Sequence, residues 1–261
     1  MVVQGSLSGR RALVTGSGRG IGREIALRLA QDGAAVGVAA RSLDQVEETV
    51  REIIARGGQA VGSRLDITSD ASVSEGVSKV CDGLGGPIDI LVNNAGIYKA
   101  RRFLDYSTDD WSSILDVNVT GMVRVIRCVL PMMLPLQRAR IINIASIAGK
   151  KASLGQAAYN ASKHAQLGIT RCLALELRGT NIRINAVCPG FTRTDLIDLD
   201  ELAAAQGKDV DVVWNEIETS STIGRTVTKK EIAALVLYLA SDAADGMNGQ
   251  SIVLDGGIVF S

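Results

Sequence analysis

The 261-residue sequence has few of the features that mark metal-binding, secreted or membrane-spanning proteins. It contains one histidine, and its four cysteines are widely spaced with no Cys-x-x-Cys pair, so no metal site is predicted. No apolar run is long enough to span a membrane, and the first residues show no basic segment followed by an apolar one, so no signal peptide is predicted. We interpret the cysteines as reduced, buried thiols of a cytoplasmic protein.

An excess of charge of either sign is also lacking. The chain has 28 Lys and Arg residues against 28 Asp and Glu residues, which argues against a protein that binds nucleic acid or membrane surfaces. Apolar residues are abundant, at 46% of the chain. A chain of this length can bury a large core, and no repeat, low-complexity tract or linker interrupts it. We therefore predict a single domain over residues 1–261.

Short apolar segments alternate with helical patterns along the chain. This alternation is typical of an α/β fold in which helices cover a parallel sheet. The seven segments predicted as strands are residues 11–15, 34–40, 60–66, 88–92, 140–145, 182–188 and 251–255.

A glycine-rich turn, Gly16-Ser17-Gly18-Arg19-Gly20-Ile21-Gly22, follows the first strand and opens a helix. Glycines let the backbone approach a phosphate, and the helix N-terminus offers free N–H groups. The spacing is Thr-Gly-x-x-x-Gly-x-Gly rather than the common Gly-x-Gly-x-x-Gly dinucleotide pattern. In its strand–turn–helix context, this turn still predicts a dinucleotide phosphate site.

The end of the second strand favours one form of dinucleotide. The sequence there reads Ala40-Arg41-Ser42, with no acidic residue. NAD sites usually place an acid at this point for the ribose 2′-hydroxyl, whereas a basic residue accepts a 2′-phosphate. Arg41, together with Arg19, therefore favours NADP(H), and NAD(H) stays possible. Ser42 and Gln45 also predict a capping box for the next helix.

Polar residues follow two further strands. Asn93-Asn94-Ala95-Gly96 comes after the fourth strand and Ser146 after the fifth. The carboxyl ends of parallel strands form the ligand-binding edge of an open α/β sheet, so we expect these residues to lie together. Asn118 lies within a helix predicted over about 108–130. Because asparagine is a poor interior helix residue, we expect a local break or a bound water there.

Tyr159 and Lys163 lie four residues apart in the Ala-rich segment 157–177, whose apolar residues recur at helical spacing. They therefore share one helix face. A positive charge beside a phenol stabilises the phenolate and lowers its pKa from the usual value of about 10. The pair indicates an acid–base group, although such pairs also occur on solvated helix faces.

Five motifs fall in order along the chain: Thr15-Gly16-x-x-x-Gly20-Ile21-Gly22, Asn93-Asn94-Ala95-Gly96, Ser146, Tyr159-x-x-x-Lys163 and Pro189-Gly190. Together they resemble the short-chain dehydrogenase/reductase family from Arg11 to Gly257. The runs Ala158–His164 and Asn185–Phe191 are similar to the branch of 3-oxoacyl thioester reductases and aromatic polyketide ketoreductases. The resemblance implies a Rossmann-type, doubly wound domain with seven parallel strands in the order 3-2-1-4-5-6-7, helices on both faces, and a homotetramer.

The resemblance also implies a catalytic tetrad of Asn118, Ser146, Tyr159 and Lys163. Tyr159 would be the general acid in reduction and the base in oxidation. Ser146 would hydrogen-bond the reacting oxygen. Lys163 would hold the nicotinamide ribose and lower the pKa of Tyr159, and Asn118 would position a water that links Lys163 to solvent.

The cofactor contacts that the resemblance implies surround the diphosphate, the 2′-phosphate, the adenine, the ribose and the nicotinamide. They are Gly16, Arg19, Gly20, Ile21, Gly22, Arg41, Ser42, Asp66, Ile67, Asn93, Ala95, Gly96, Tyr159, Lys163, Pro189, Gly190, Thr192 and Thr194. His164 is expected to be structural, since the family pattern does not use that position.

We expect the substrate pocket to be built from three segments that the motifs constrain least, residues 97–103, 147–156 and 195–221. The last is long, polar and weakly periodic, and it follows a strand's ligand edge, so it is a candidate lid. Arg101, Arg102, Lys150 and Lys151 would either attract an anionic acyl carrier or coenzyme A or form a solvated rim.

Three functions are consistent with these residues. The first is NADP(H)-dependent reduction of a ketone, such as a 3-oxoacyl or polyketide-like small molecule, with a thioester carrier left open. The second is an NAD(H)-dependent alcohol or sugar dehydrogenase that works oxidatively. The third is a non-catalytic nucleotide sensor, against which the complete tetrad argues, because a sensor needs no Ser146 beside Tyr159.

Overall fold

Seven strands form one parallel sheet in the computed structural model, which describes residues 5–260. The strands are β1 (Arg11–Thr15), β2 (Ala35–Ala40), β3 (Gln59–Arg64), β4 (Ile90–Asn93), β5 (Ala139–Ile144), β6 (Ile182–Pro189) and β7 (Ser251–Leu254). Their order, β3-β2-β1-β4-β5-β6-β7, confirms the predicted topology. The sequence start, on which the signal-peptide prediction depends, lies partly outside the described residues.

Nine α-helices occur within residues 5–260. They are α1 (Gly20–Gln31), α2 (Leu43–Ala55), α3 (Asp70–Leu84), α4 (Thr108–Leu115), α5 (Met122–Met133), α6 (Ala157–Glu176), α7 (Leu199–Gln206), α8 (Val210–Thr219) and α9 (Lys229–Ala240). None of these helices is long and apolar enough to span a membrane.

Alternate side chains of the strands pack against helices on opposite faces of the sheet. In β1, Ala12 and Val14 join a core with α1, α2 and α9, whereas Leu13 joins a second core with α3 and α5. Both faces are therefore buried, which explains why the strands read as nearly continuous apolar runs. Because burial of each Val, Leu or Ile contributes about 1.5–3 kcal/mol, these two cores hold the carboxyl edge of the sheet in place.

The helix predicted over 108–130 is interrupted, as Asn118 led us to expect. Residues Asp116–Gly121 form a π-helical turn between α4 and α5. The Asn118 side chain is fully buried and bonds another part of the chain: its Oδ1 accepts from the Ile97 amide at 2.8 Å, and its Nδ2 donates to the Ile97 carbonyl at 2.9 Å. The turn thus ties the helix to the loop after β4.

Two local predictions were wrong. Ser42 precedes α2, but its side chain makes no capping hydrogen bond, so the predicted capping box with Gln45 is absent. Of the four cysteines, which are all free, only Cys188 is buried; the other three lie at least partly at the surface. The sequence pattern placed Ser42 at the start of a helix, but it could not show which groups its side chain contacts. The burial of the cysteines likewise depends on the tertiary packing.

Candidate active site

Two adjoining cavities lie at the carboxyl edge of the sheet. The outer cleft, of about 410 Å³, follows the glycine-rich turn, the end of β2 and the loop after β3. The inner cavity, of about 390 Å³, lies between the ends of β5 and β6 and the segment 195–221. The two share Ile21, Asn94 and Gly96 in their walls, so a molecule lying along the outer cleft can extend into the inner cavity.

The glycine-rich turn forms the base of the outer cleft. Gly16 and Gly20 have positive φ angles of 65° and 62°, which glycine adopts without strain. A Cβ atom at Gly16 would lie 2.8 Å from the Cα of Ala95, so a side chain would fill the space between the turn and the loop after β4. A bare backbone at the start of α1 suits the close approach of a diphosphate.

Asn94 holds this turn, although it was not among the predicted site residues. Its Nδ2 donates to the carbonyls of Thr15 and Gly16 at 3.0 and 3.1 Å. The Thr15 hydroxyl in turn accepts from the amides of Asn94 and Ala95. The repeated asparagine in the motif was a visible signal, but which of the two faces the turn is decided by the tertiary structure.

Asn93 points away from both cavities. Its side chain is buried, and its Nδ2 donates to Oδ1 of Asn143 on the neighbouring strand at 2.9 Å. Only the main chain of Asn93 is therefore available to contact the ribose, and that contact stays a prediction.

Arg41 and Ser42 line the far end of the outer cleft, opposite Asp66. Both are exposed, and the Ser42 hydroxyl is not used as a helix cap. Asp66 is oriented by Thr68, whose amide and hydroxyl donate to its Oδ1 at 2.9 and 2.8 Å. The Thr68 amide lowers the pKa of Asp66, with smaller contributions from Arg41 and Arg64. The end of β2 thus presents a guanidinium and a hydroxyl rather than an acid.

Arg19 spans the mouth of the same cleft. Its guanidinium lies 3.6 Å from the Asp195 carboxylate, and both side chains are mostly exposed, so the pair contributes little to stability. Arg19 is therefore free to exchange this carboxylate for a phosphate at small cost.

Tyr159 lies in the wall of the inner cavity, and only 7% of it is exposed. Burial raises the pKa of Tyr159 to about 12, and the neighbouring Ser146 side chain opposes that rise. The Lys163 Nζ lies 5.5 Å from the centre of the Tyr159 ring, and burial lowers the pKa of Lys163 to about 8. The pKa of Tyr159 therefore lies above its usual value because burial outweighs the effect of Ser146, and the expected lowering by Lys163 stays a prediction.

The Lys163 ammonium is held by two protein oxygens. Its Nζ donates to the Ile144 carbonyl at 3.0 Å and to Oε1 of Gln166 at 3.1 Å. The Gln166 Nε2 donates to the Asn118 carbonyl at 2.6 Å. Asn118 therefore reaches Lys163 through a glutamine side chain that no sequence motif marked.

The structure brings most of the predicted site residues to the walls of the two cavities. Those that line one or both are Gly16, Arg19, Gly20, Ile21, Arg41, Ser42, Asp66, Ile67, Ala95, Gly96, Ser146, Tyr159, Lys163, Pro189, Gly190, Thr192 and Thr194. Gly22, Asn93 and Asn118 are buried behind these walls, where they support the turn, the sheet and Lys163 respectively.

The three segments predicted to form the substrate pocket all line the inner cavity. Segment 195–221 folds into α7 and α8 and covers the cavity with apolar side chains, among them Leu202 and Ile217. Its Trp214 packs edge-on against Phe191, with ring centres 5.6 Å apart. Ile258 also lines the cavity, and no sequence signal marked it, because only the course of the chain after β7 places it there.

The basic residues near this entrance differ in their surroundings. Arg101 pairs with Asp110 at 3.6 Å and with Glu201 of α7 at 3.4 Å, so its charge is already compensated. Lys151 lines the inner cavity and has no charged partner within residues 5–260. His164 is exposed, and its Nδ1 contacts the Asn160 carbonyl at 2.9 Å, away from Tyr159.

Comparison with known proteins identifies this arrangement. A family profile described as enoyl-(acyl carrier protein) reductase matches residues 16–259. The short-chain reductase protein NovJ of Streptomyces niveus is 39% identical over 94% of this chain and 92% of its own length. The chain belongs to the short-chain dehydrogenase/reductase family. Other relatives within this family are 3-oxoacyl-[acyl-carrier-protein] reductases, which confirms the predicted branch.

Solved members of the family have the same fold. A single-substitution variant of actinorhodin polyketide ketoreductase with NADPH has a TM-score of 0.88 and 35% identity, and the match covers 97% of this chain and 98% of that one. NAD+-bound xylitol dehydrogenase has a TM-score of 0.92 and 33% identity, and the match covers 96% and 99%. The protein is therefore an oxidoreductase that uses a nicotinamide cofactor.

The lowered pKa of Lys163 gives a testable pH dependence of stability. Burial lowers the pKa of Lys163 to about 8 in the folded protein, against an ordinary value of about 10.5 in the unfolded chain. Between these values the unfolded state binds more protons, so the free energy of unfolding rises with pH. We expect it to rise by up to about 3 kcal/mol in the wild type relative to Lys163→Met, as measured by urea unfolding from pH 7 to 11. Parallel curves for the two proteins would contradict this expectation.

Proposed function

We propose that this protein reduces a ketone to a secondary alcohol with NADP(H), and that the substrate is a 3-oxoacyl or polyketide-like small molecule. The observation that carries the proposal is that Ser146 and Tyr159 lie together in the wall of the inner cavity, which has both apolar and polar lining residues. The walls of that cavity continue into a cleft with a bare glycine-rich turn. This arrangement suits a reaction in which one molecule lies in the cleft and another meets it at Tyr159.

In the proposed reaction, Ser146, Tyr159 and Lys163 each have a separate role. A bound nicotinamide supplies the hydride that the carbonyl carbon receives. Ser146 donates a hydrogen bond to the carbonyl oxygen, where negative charge develops. Tyr159 gives its phenolic proton to that oxygen and is left as phenolate. Its raised pKa keeps it protonated at neutral pH, as a proton donor requires. The Lys163 ammonium, 5.5 Å from the ring centre, is placed to stabilise the phenolate that remains.

The preference for NADP(H) is supported by the end of β2. Arg41 and Ser42 line the cleft there, and no acid follows the strand to accept a ribose hydroxyl. Arg41 has no ion-pair partner within residues 5–260, so it can bind a 2′-phosphate without breaking another contact.

We expect Arg41→Asp to reverse the cofactor preference. The wild type should bind NADPH at least about 10-fold more tightly than NADH, because a charge-assisted contact to phosphate is worth about 1.5–3 kcal/mol. The variant should bind NADH more tightly, since the new carboxylate repels the phosphate. Fluorescence titration with both nucleotides measures the ratio, and Arg51→Asp on the outer surface of α2 serves as a control for the change of charge. Tighter NADH binding by the wild type would overturn the NADP(H) proposal and favour an NAD(H)-dependent dehydrogenase.

The ketone substrate is tested with a panel of carbonyl compounds. NADPH oxidation should be observed with 3-oxoacyl thioesters or cyclic polyketide-like ketones, which match the apolar walls of the inner cavity. Turnover only of sugars or polyols in the presence of NAD+ would favour the oxidative alternative. Tight nucleotide binding without turnover of any compound would identify a nucleotide sensor.

The proposal has four further parts: a thioester form of the substrate, a cytoplasmic location, a homotetramer, and opening of the segment 195–221 as a lid. The shared reductase branch supports a thioester, and the position of α7 and α8 over the inner cavity supports a lid. Light scattering measures the number of subunits directly.

A further inference from the structure

Gln166 is a buried side chain that lies between Lys163 and Asn118, behind the wall of the inner cavity. It lies three residues after Lys163 on α6, and only 2% of it is exposed. Its Oε1 accepts from the Lys163 Nζ at 3.1 Å, while its Nε2 donates to the Asn118 carbonyl at 2.6 Å. A single water placed between these groups would make the same two hydrogen bonds. The glutamine amide therefore contacts both Asn118 and Lys163, the two residues that the family resemblance connects through a water.

We propose that Gln166 is a positioning residue, which fixes the Lys163 ammonium by bridging it to the main chain of Asn118. This inference rests on the proposed function, because it names the side chain that orients Lys163 while Tyr159 donates its proton. Gln166 does not itself touch the reacting atoms. It acts through Lys163.

The hydrogen bonds of Lys163 explain why the bridge matters. An ammonium has three N–H donors. One goes to the Ile144 carbonyl and one to Gln166, so the third is left for Tyr159 or the ribose of the nucleotide. Without the Gln166 oxygen, a second donor would lose its partner in a buried site, where unpaired polar groups are costly. The ammonium would then move away from the position that serves Tyr159.

The surroundings of Lys163 offer no substitute. Within residues 5–260, Tyr159 on α6 and Cys188 on β6 are the titratable groups that interact with it; β5 contributes the Ile144 carbonyl, and the Asn118 carbonyl of the π-helical turn bonds Gln166 instead. No carboxylate within residues 5–260 forms an ion pair with Lys163. Gln166 is thus the side-chain oxygen that the buried ammonium depends on.

Two substitutions separate positioning from simple space filling. Gln166→Met keeps nearly the same length but offers no amide, whereas Gln166→Ala leaves room for a water that can restore the bridge. If Gln166 positions Lys163, Met should be the more harmful change. We expect Gln166→Met to lower kcat for ketone reduction about 10-fold and the Lys163 pKa by about one pH unit, because hydrogen bonds to charged groups are the strong ones. Gln166→Ala should stay within about 3-fold of wild-type kcat.

The Lys163 pKa is measured by NMR titration of the lysine Cε signals in 13C-labelled protein, assigned with Lys163→Met. Thr170→Val is the matched control. Thr170 is fully buried one turn further along α6, where its hydroxyl donates to the Gln166 carbonyl at 2.8 Å and accepts from Asn143. Its loss should lower the melting temperature without changing the Lys163 pKa or kcat.

A larger loss of kcat in Gln166→Ala than in Gln166→Met would overturn the proposal. If Gln166 only fills space, Ala should be worse than Met in kcat, and the Lys163 pKa should be the same in both. Should Gln166→Met not fold, Gln166→Leu takes its place, because leucine also offers no amide and should likewise lower kcat more than alanine does. Absence of turnover with every ketone would overturn the proposed function alone, while the NMR titrations would still test the bridge.

Discussion

Tyr159→Phe is expected to lower kcat for ketone reduction by about 10²–10⁴-fold, the usual contribution of a positioned general acid. The substitution removes the only proton that Tyr159 can give and leaves the ring in place. The nucleotide should still bind, since Gly16, Arg19 and Arg41 in the outer cleft are unchanged. Steady-state kinetics with a saturating ketone and fluorescence titration with NADPH measure the two properties separately.

Tyr98→Phe is the matched control for this experiment. The Tyr98 ring packs edge-on against Tyr159 with centres 5.0 Å apart, and its buried hydroxyl has no hydrogen-bond partner within residues 5–260. Because Tyr98 also lines the inner cavity, removing its hydroxyl can change KM for the ketone, but it should leave kcat within a few-fold of the wild type and should not destabilise the fold, since no bond is lost. A Tyr159→Phe variant that is as active as Tyr98→Phe would disprove the assigned proton donor.

The second large effect is expected at Gly22. A Cβ atom there would lie 2.4 Å from both the Asn94 Nδ2 and the Gly16 carbonyl oxygen, far inside normal contact. Gly22→Ala should therefore separate Asn94 from the glycine-rich turn and move the backbone groups that face the cofactor phosphates. We expect NADPH affinity to fall by about 10-fold or more, and the melting temperature to fall by about 5 °C through overpacking.

Gly246→Ala provides the comparison for Gly22→Ala. Gly246 is exposed, its φ angle is not positive, and a Cβ atom would meet nothing within 4 Å. Alanine there should stabilise the protein slightly, by about 0.4–1 kcal/mol, because it restricts the unfolded chain. Calorimetry and NADPH titration of both variants test the prediction, which would be wrong if Gly22→Ala bound NADPH as tightly as Gly246→Ala.

If Gln166 positions Lys163 as proposed, the bridge changes how the tetrad implied by the family operates. The four residues implied by the family are present, and the Gln166 amide connects the Asn118 carbonyl to Lys163. Since an amide is part of the folded chain, the orientation of Lys163 is set by packing of α6 against the π-helical turn. The site is thereby preorganised before a cofactor binds.

The amino-acid sequence by itself determined the seven-stranded parallel fold and the order of the motifs. The alternation of apolar segments with helical patterns, and the glycine-rich turns between them, are local features that predict this fold. The sequence alone therefore assigns Gly16, Ser146 and Tyr159 to one edge of the sheet. A local break or a bound water near Asn118 was also predicted, because an asparagine inside a helix competes for its backbone bonds.

Only the tertiary structure decided which polar groups meet and how deeply they are buried. It turned Asn93 towards Asn143 and Asn94 towards the glycine-rich turn, and it placed Gln166 between Lys163 and Asn118. It also raised the pKa of Tyr159, where sequence spacing to Lys163 suggested a lower one. Desolvation and long-range hydrogen bonds depend on side chains from several distant segments. Their combined effect on a pKa or on a side-chain contact therefore cannot be predicted from a local sequence pattern.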